Sequence, residues 1–236
     1  MKSIRKFLVL SSILLLLISC SHSGKRKRKN SPKSEINTSA KIVDPPVFEK
    51  TEASTLNNLY QDNKEAVFLI YTSDGQEYHQ GSGFFISADG IGISNYHVFE
   101  GTFKGKELIK LLNGQEYKIA KVLASNKELD YIVFQVEAGG DEKFPFLAIS
   151  NSYPVIGDNV FAIGNPKGLE STLSTGIISS LRTDVHLIQT TAEITNGSSG
   201  GPLFNMNGAV IGITSSGMGE ANLNFAVDIR VLNIKL

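Results

Sequence analysis

The chain has 236 residues, of which 41% are hydrophobic and 19% charged, and 23 Lys and Arg balance 23 Asp and Glu. That is enough apolar material for one large core or two small ones, and it excludes a chain disordered throughout. A single cysteine, Cys20, excludes a disulfide within one molecule. The charge is unevenly placed: residues 20–50 carry eight Lys and Arg against three Asp and Glu, and residues 51–236 carry twelve against twenty. A basic tether therefore leads into an acidic globular part.

In chain order, residues 1–19 begin with Lys2, Arg5 and Lys6 and continue as an apolar run from Phe7 to Ile18. The run is short for a membrane span and has the pattern of a secretory signal. Leu17-Ile18-Ser19-Cys20 is similar to a bacterial lipobox, whose cysteine is lipidated before the chain is cut ahead of it. The other reading is an ordinary signal peptide that happens to contain a cysteine. Lipidation of Cys20 implies several acyl chains, and more than one is what stable anchoring needs. Residues 20–55, rich in Ser, Lys, Asn, Thr and Pro without periodic apolar positions, read as a disordered or extended tether. Its Lys25-Arg26-Lys27-Arg28-Lys29 run suits anionic lipid headgroups or plain solvent, and nucleic acid is not an expected partner after an export signal.

Residues 56–236 read as one β-rich domain. Ser54–Glu65 and the last few residues have helical character. Strands are expected at 66–72, 83–87, 108–112, 117–124, 131–136, 160–163, 176–181, 187–190, 209–214 and 224–227. Asp74-Gly75, Asp89-Gly90, Asn113-Gly114 and Asn207-Gly208 are hairpin signals, because type I′ turns need positive φ at both central residues. Short strands with frequent turns point to a sandwich or barrel. A loop around Gly139–Ser150 divides the domain into halves.

The chemistry gathers in three segments. Gly197-Ser198-Ser199-Gly200-Gly201-Pro202-Leu203 is a glycine-rich turn carrying a serine. Ser94-Asn95-Tyr96-His97-Val98 supplies a histidine, and Leu129-Asp130-Tyr131-Ile132-Val133 an aspartate. A serine hydroxyl is a poor nucleophile until an imidazole takes its proton, and a carboxylate must hold that imidazole in the right tautomer. Glycine permits conformations that aim N–H groups at one point. Taken singly, each residue has a plainer reading: Ser199 as a turn serine, His97 as a core histidine, Asp130 as a cap before a strand. His79 and His186 match no motif, His22 falls in the tether, and no cluster has metal-ligand spacing.

With Gly81-Ser82-Gly83-Phe84-Phe85-Ile86, Gly164-Asn165-Pro166-Lys167-Gly168-Leu169, Gln189-Thr190-Thr191-Ala192 and Asn224-Phe225-Ala226-Val227, these segments resemble the HtrA/Deg serine proteases of the trypsin-like superfamily. The resemblance covers roughly residues 55–230 in the family's order. It implies an all-β fold of two six-stranded antiparallel barrels, about 60–145 and 150–230, with the active site between them. It implies His97 as general base, Asp130 as its orienting carboxylate and Ser199 as nucleophile. The oxyanion hole falls on Gly197, Ser198 and Ser199, with Ser198 standing where the family usually has asparagine.

Glu193, Ile194, Thr195 and Asn196 should line the primary specificity pocket. In the resembled family this stretch has small or apolar residues, a pattern Ile194 fits, and the pocket favours small or medium aliphatic substrate side chains. Glu193 departs from that pattern, and would favour basic side chains from the pocket base or else point to solvent. The chain stops at Leu236, which leaves no room for the PDZ domain many relatives carry. The short segment 72–81 argues against higher-order cages and leaves a trimer open. The resulting expectation is a lipid-anchored serine endopeptidase of the cell envelope that cuts unfolded or exposed protein segments without a cofactor. The rival is a gated or non-cleaving peptide-binding protein on the same fold.

Overall fold

Residues 55–165, 171–218 and 223–232 are described by the structure, a computed structural model. The expected leader, Cys20, the tether as far as residue 54 and the motif residues Pro166-Lys167-Gly168-Leu169 lie outside the described residues. The first element is a short helix, α1 (Leu56–Asn63), which Thr55 caps by accepting a hydrogen bond from Asn58 N at 3.3 Å. Among the described residues no helix is long and apolar enough to cross a membrane.

Two antiparallel β units follow. The first contains β1 (Val67–Ser73), β2 (Tyr78–Phe85), β3 (Ile91–Ser94), β4 (Leu108–Lys110), β5 (Glu116–Tyr117), β6 (Ile119–Asn126) and β7 (Tyr131–Val136), in the order β5-β4-β1-β2-β3-β7-β6. The edge strands β5 and β6 are successive stretches of one chain, parted only by Lys118. One bent segment therefore pairs with β4 at one edge and β7 at the other, and the sheet curls on itself. The second unit is a closed barrel of β8 (Asn159–Gly164), β9 (Thr172–Arg182), β10 (Leu187–Thr190), β11 (Pro202–Asn205), β12 (Val210–Met218) and β13 (Leu223–Asp228), ordered β10-β13-β12-β11-β8-β9. The fold is all-β and of the trypsin-like double-barrel kind. Its first half is an open, curled seven-stranded sheet and its second a closed six-stranded barrel.

Strand alternation divides the apolar residues between two kinds of core. Phe68, Ile70, Phe85, Ile132 and Phe134 fill the interior of the first sheet, and Val160, Ala162, Ile178, Ile188 and Leu203 that of the barrel. Their alternates Val67, Phe84, Ile93 and Val133 meet Phe161, Ile163, Phe204 and Ile213 in a shared core. Phe161 and Phe204 stack there at 4.5 Å. Burial on both faces is why Val67-Phe68-Leu69-Ile70 is a continuous apolar run rather than an alternating one.

The hairpin turns differ from expectation in type. Gly75, Gly90, Gly114 and Gly208 all have positive φ, but the Asp or Asn before each does not, so none is a type I′ turn. Side-chain carboxylates and amides shape these loops instead. Asp74 Oδ1 accepts from Gln76 N (2.8 Å) and Glu77 N (2.7 Å), and Asn113 Oδ1 from Gln115 N (2.9 Å).

Candidate active site

His97 sits in a 3-10 turn, Tyr96–Val98, directly after β3. Val98 is buried beneath it, and its carbonyl accepts from Thr72 Oγ1 at 3.0 Å. Asn95, fully buried, donates from Nδ2 to the Asp130 carbonyl at 2.8 Å and so ties the histidine turn to the β6–β7 turn. Asp130 occupies that turn with φ +50, in the left-handed region that Asp tolerates better than most residues. The bend aims its carboxylate back at His97.

The contact is tight. His97 Nδ1 lies 3.0 Å from Oδ1 and 2.9 Å from Oδ2 of Asp130, and the His97 main-chain N–H donates to Oδ1 at 3.0 Å. Ser215 Oγ donates to Oδ2 at 2.8 Å. Burial pushes the Asp130 pKa up, but the hydrogen bonds from the His97 ring and main chain, the imidazole's charge and the Ser215 hydroxyl outweigh it. The carboxyl therefore rests below its ordinary value. A carboxylate held in this way keeps the proton on Nδ1 and leaves Nε2 free to accept one.

Ser199 lies within the glycine-rich turn, three residues ahead of β11. The Ser198 N–H donates to the Thr195 carbonyl at 2.9 Å, closing a four-residue turn whose third residue, Gly197, has φ +96. Positive φ at that position is the mark of a type II turn and requires glycine. Ser198 thus spends its N–H inside the turn and has none to offer an oxyanion. The N–H groups of Gly197 and Ser199 have no hydrogen-bond partner among the described residues. The Ser199 hydroxyl donates to the Ser215 carbonyl at 2.6 Å rather than to His97. Ser199, Gly197, Asn196 and His97 share a cleft of about 560 Å3 with Tyr78 and Gln80.

Glu193, Ile194 and Thr195 border a separate cavity of about 200 Å3 that also touches Leu173, Ser198 and Thr214. Asn196, expected with them, faces the larger cleft instead. Ile194 is buried and its N–H donates to Asn224 Oδ1 at 3.1 Å, whereas Glu193 is exposed. Among the described residues no three His, Cys, Asp or Glu side chains gather as a metal site.

Sequence reasoning had no role for Ser215, Ser82 or Asn165. Ser82 and Asn165 stand inside quoted motifs, but nothing local says what they hold. Ser215 is selected by a bulge: β12 pairs Thr214 with Ala226 and Ser216 with Phe225, which leaves Ser215 as the extra residue. Bulges re-aim side chains in this way.

Comparison with known proteins supplies the family. Residues 81–213 match the trypsin-like peptidase domain, and the chain belongs to that family. A probable periplasmic serine endoprotease, DegP-like, from Chlamydia trachomatis is 41% identical over 160 residues, covering 63% of this chain and 31% of that protein. Protease Do-like 1, chloroplastic, from Arabidopsis thaliana is 34% identical over 199 residues, covering 75% of this chain and 45% of the relative. The crystal structure of the serine endoprotease from Yersinia pestis superposes with a TM-score of 0.66 at 30% identity, covering 74% of this chain and 62% of that one. The chain spans less than half the length of these curated relatives.

Proposed function

We propose that this protein is a serine endopeptidase in which Ser199 attacks the scissile carbonyl, His97 takes its proton and Asp130 holds the imidazole. The observation that carries this reading is the His97–Asp130 contact at 2.9 and 3.0 Å, set in one cleft with Ser199 and two N–H groups that have no partner among the described residues. Attack requires the Ser199 side chain to turn from the Ser215 carbonyl toward Nε2. The tetrahedral oxyanion is then received by Gly197 N–H and Ser199 N–H, and loss of such a donor costs about 2.7–4 kcal/mol. His97 next returns the proton to the leaving amine, and water releases the acyl group by the same route.

The relatives' names, periplasmic serine endoprotease among them, support protein substrates and a place outside the cytoplasm. A lipid anchor at Cys20 would then hold the domain at a membrane of the cell envelope. The buried Ile194 beside a cavity of about 200 Å3, with Glu193 exposed, favours a medium aliphatic side chain over a basic one. The gated alternative draws on the Ser199–Ser215 hydrogen bond, which holds the hydroxyl away from its base.

Fluorophosphonate labelling and casein turnover by the full chain, beside Ser199→Ala, test the reading. Label and turnover that vanish together in the variant support the peptidase. Label without turnover means a competent nucleophile with the wrong substrate or a missing partner, and no label at all favours the gated or purely peptide-binding form. Unchanged proteolysis by Ser199→Ala refutes the assignment.

A further inference from the structure

The hydrogen bond from Ser198 N to Thr195 O is common to type I and type II turns, so by itself it does not decide which way the Asn196–Gly197 peptide faces. The positive φ of Gly197, +96, decides it in favour of type II, and the peptide that follows is anchored from the other sheet. Ser82, fully buried in β2, donates from Oγ to the Gly197 carbonyl at 2.7 Å, and its main-chain N–H donates to the Ser199 carbonyl at 2.8 Å. It therefore grips the turn on both sides of Ser198.

The hydroxyl has its full complement of partners. It accepts from Asn165 N at 3.0 Å and from Asn165 Nδ2 at 3.3 Å. Asn165 is itself held, donating from Nδ2 to the Phe68 carbonyl at 3.0 Å and accepting at Oδ1 from Ser171 N at 2.9 Å. The Ser82 carbonyl accepts from Ser94 Oγ at 2.7 Å, two residues before the His97 turn begins. One donor and two acceptor sites are all that a serine hydroxyl offers, and a buried network so satisfied is rigid.

We propose that Ser82 is a positioning residue for catalysis, its hydroxyl holding Gly197 so that the Gly197 and Ser199 N–H groups stay presented to the oxyanion; this rests on the serine-peptidase reading above. Removal of the hydroxyl leaves the Gly197 carbonyl and Asn165 without their partner and lets the turn relax. The loss should fall on the transition state, because a substrate bound in its ground state does not yet need the oxyanion donors.

The test compares the full-length wild type, Ser82→Ala, Ser82→Thr and Ser199→Ala, using a fluorogenic peptide and a peptide boronate as tetrahedral analogue. Ser82→Ala is expected to lower kcat about ten- to a hundredfold with KM changed by less than about threefold. Boronate affinity should fall in parallel, and Ser82→Thr, which keeps the hydroxyl, should recover most of kcat. A kcat for Ser82→Ala within about twofold of wild type overturns the proposal, as does a loss carried by KM with boronate affinity unchanged. Should Ser82→Ala fail to fold, Ser82→Cys keeps the side chain's place with a weaker donor: lowered kcat at unchanged KM supports the proposal, and wild-type kcat overturns it. A wild type that neither labels at Ser199 nor turns over peptide fails at the earlier step, refuting the peptidase reading and the role of Ser82 with it.

Discussion

Asp130→Asn isolates the electrostatic part of the site. Asparagine tolerates the left-handed backbone as aspartate does, so φ +50 at residue 130 adds no strain. The two carboxylate oxygens accept four contacts: His97 N and Nδ1 at 3.0 Å each on Oδ1, and Nδ1 at 2.9 Å with Ser215 Oγ at 2.8 Å on Oδ2. An amide keeps only one acceptor. If its oxygen stays toward the His97 main chain, its NH2 lies at the 2.9 Å position and donates to Nδ1. That moves the ring proton to Nε2, where it blocks the base. If the amide turns over, its NH2 meets the His97 N–H at 3.0 Å, donor against donor. The first outcome disables proton transfer and the second is opposed by the facing donors, so kcat should fall about 10⁴-fold, equivalent to about 5.5 kcal/mol. Steady-state kcat and KM on a peptide ester near neutral pH measure it, with a urea melt to show that the fold survives. A kcat within about tenfold of wild type would refute the claim that Asp130 sets the tautomer.

Gly200→Ala should destabilise the fold by about 3 kcal/mol or more, read from the urea midpoint. A Cβ there would lie 2.1 Å from the Ser82 carbonyl oxygen and 2.2 Å from Ser94 Oγ, at φ +91. A loss under about 1 kcal/mol contradicts that close approach. Phe68→Ala, at a 1%-exposed ring 4.5 Å from Phe85 and 6.2 Å from Phe134, should cost about 3–5 kcal/mol in the same assay. Acid should weaken the protein through Asp130. Its folded pKa lies below the ordinary 3.8, so its stabilising contribution is complete above that value and is lost as pH falls through the lower, folded one. Melts from pH 7 downward should show a constant gap between wild type and Asp130→Asn that closes only below pH of about 4. A gap that widens in acid contradicts the sign.

Local patterning was readable where one strand's surroundings are uniform. Tyr131–Val136 and Leu187–Thr190 are strands at the expected bounds, and α1 falls inside the expected helix. It was unreadable where tertiary contact replaces hydrophobic alternation. Ile91-Gly92-Ile93-Ser94 pairs with β7 because Gly92 leaves room for Phe134, whose ring carbons would stand 2.9 and 3.0 Å from any Cβ there. Pro202–Asn205 opens on a proline, a residue that argues against a central strand, yet it lies between β8 and β12 with the proline at its first position. The first half of β2, Tyr78-His79-Gln80, is partly exposed along the cleft and carries no apolar signal.

The sequence by itself determined the chemical inventory: a histidine, an aspartate and a serine in that chain order, and glycines where the chain must turn with positive φ. These are local requirements, and local residues meet them. The tertiary structure alone decided that a bulge sets Ser215 against Asp130, that Ser198 N–H is spent within its turn while its neighbours' are not, and that Ser82 reaches across from the first sheet to hold Gly197. Such contacts join positions far apart along the chain, and no periodicity or spacing within either segment records which partner the fold will bring to it.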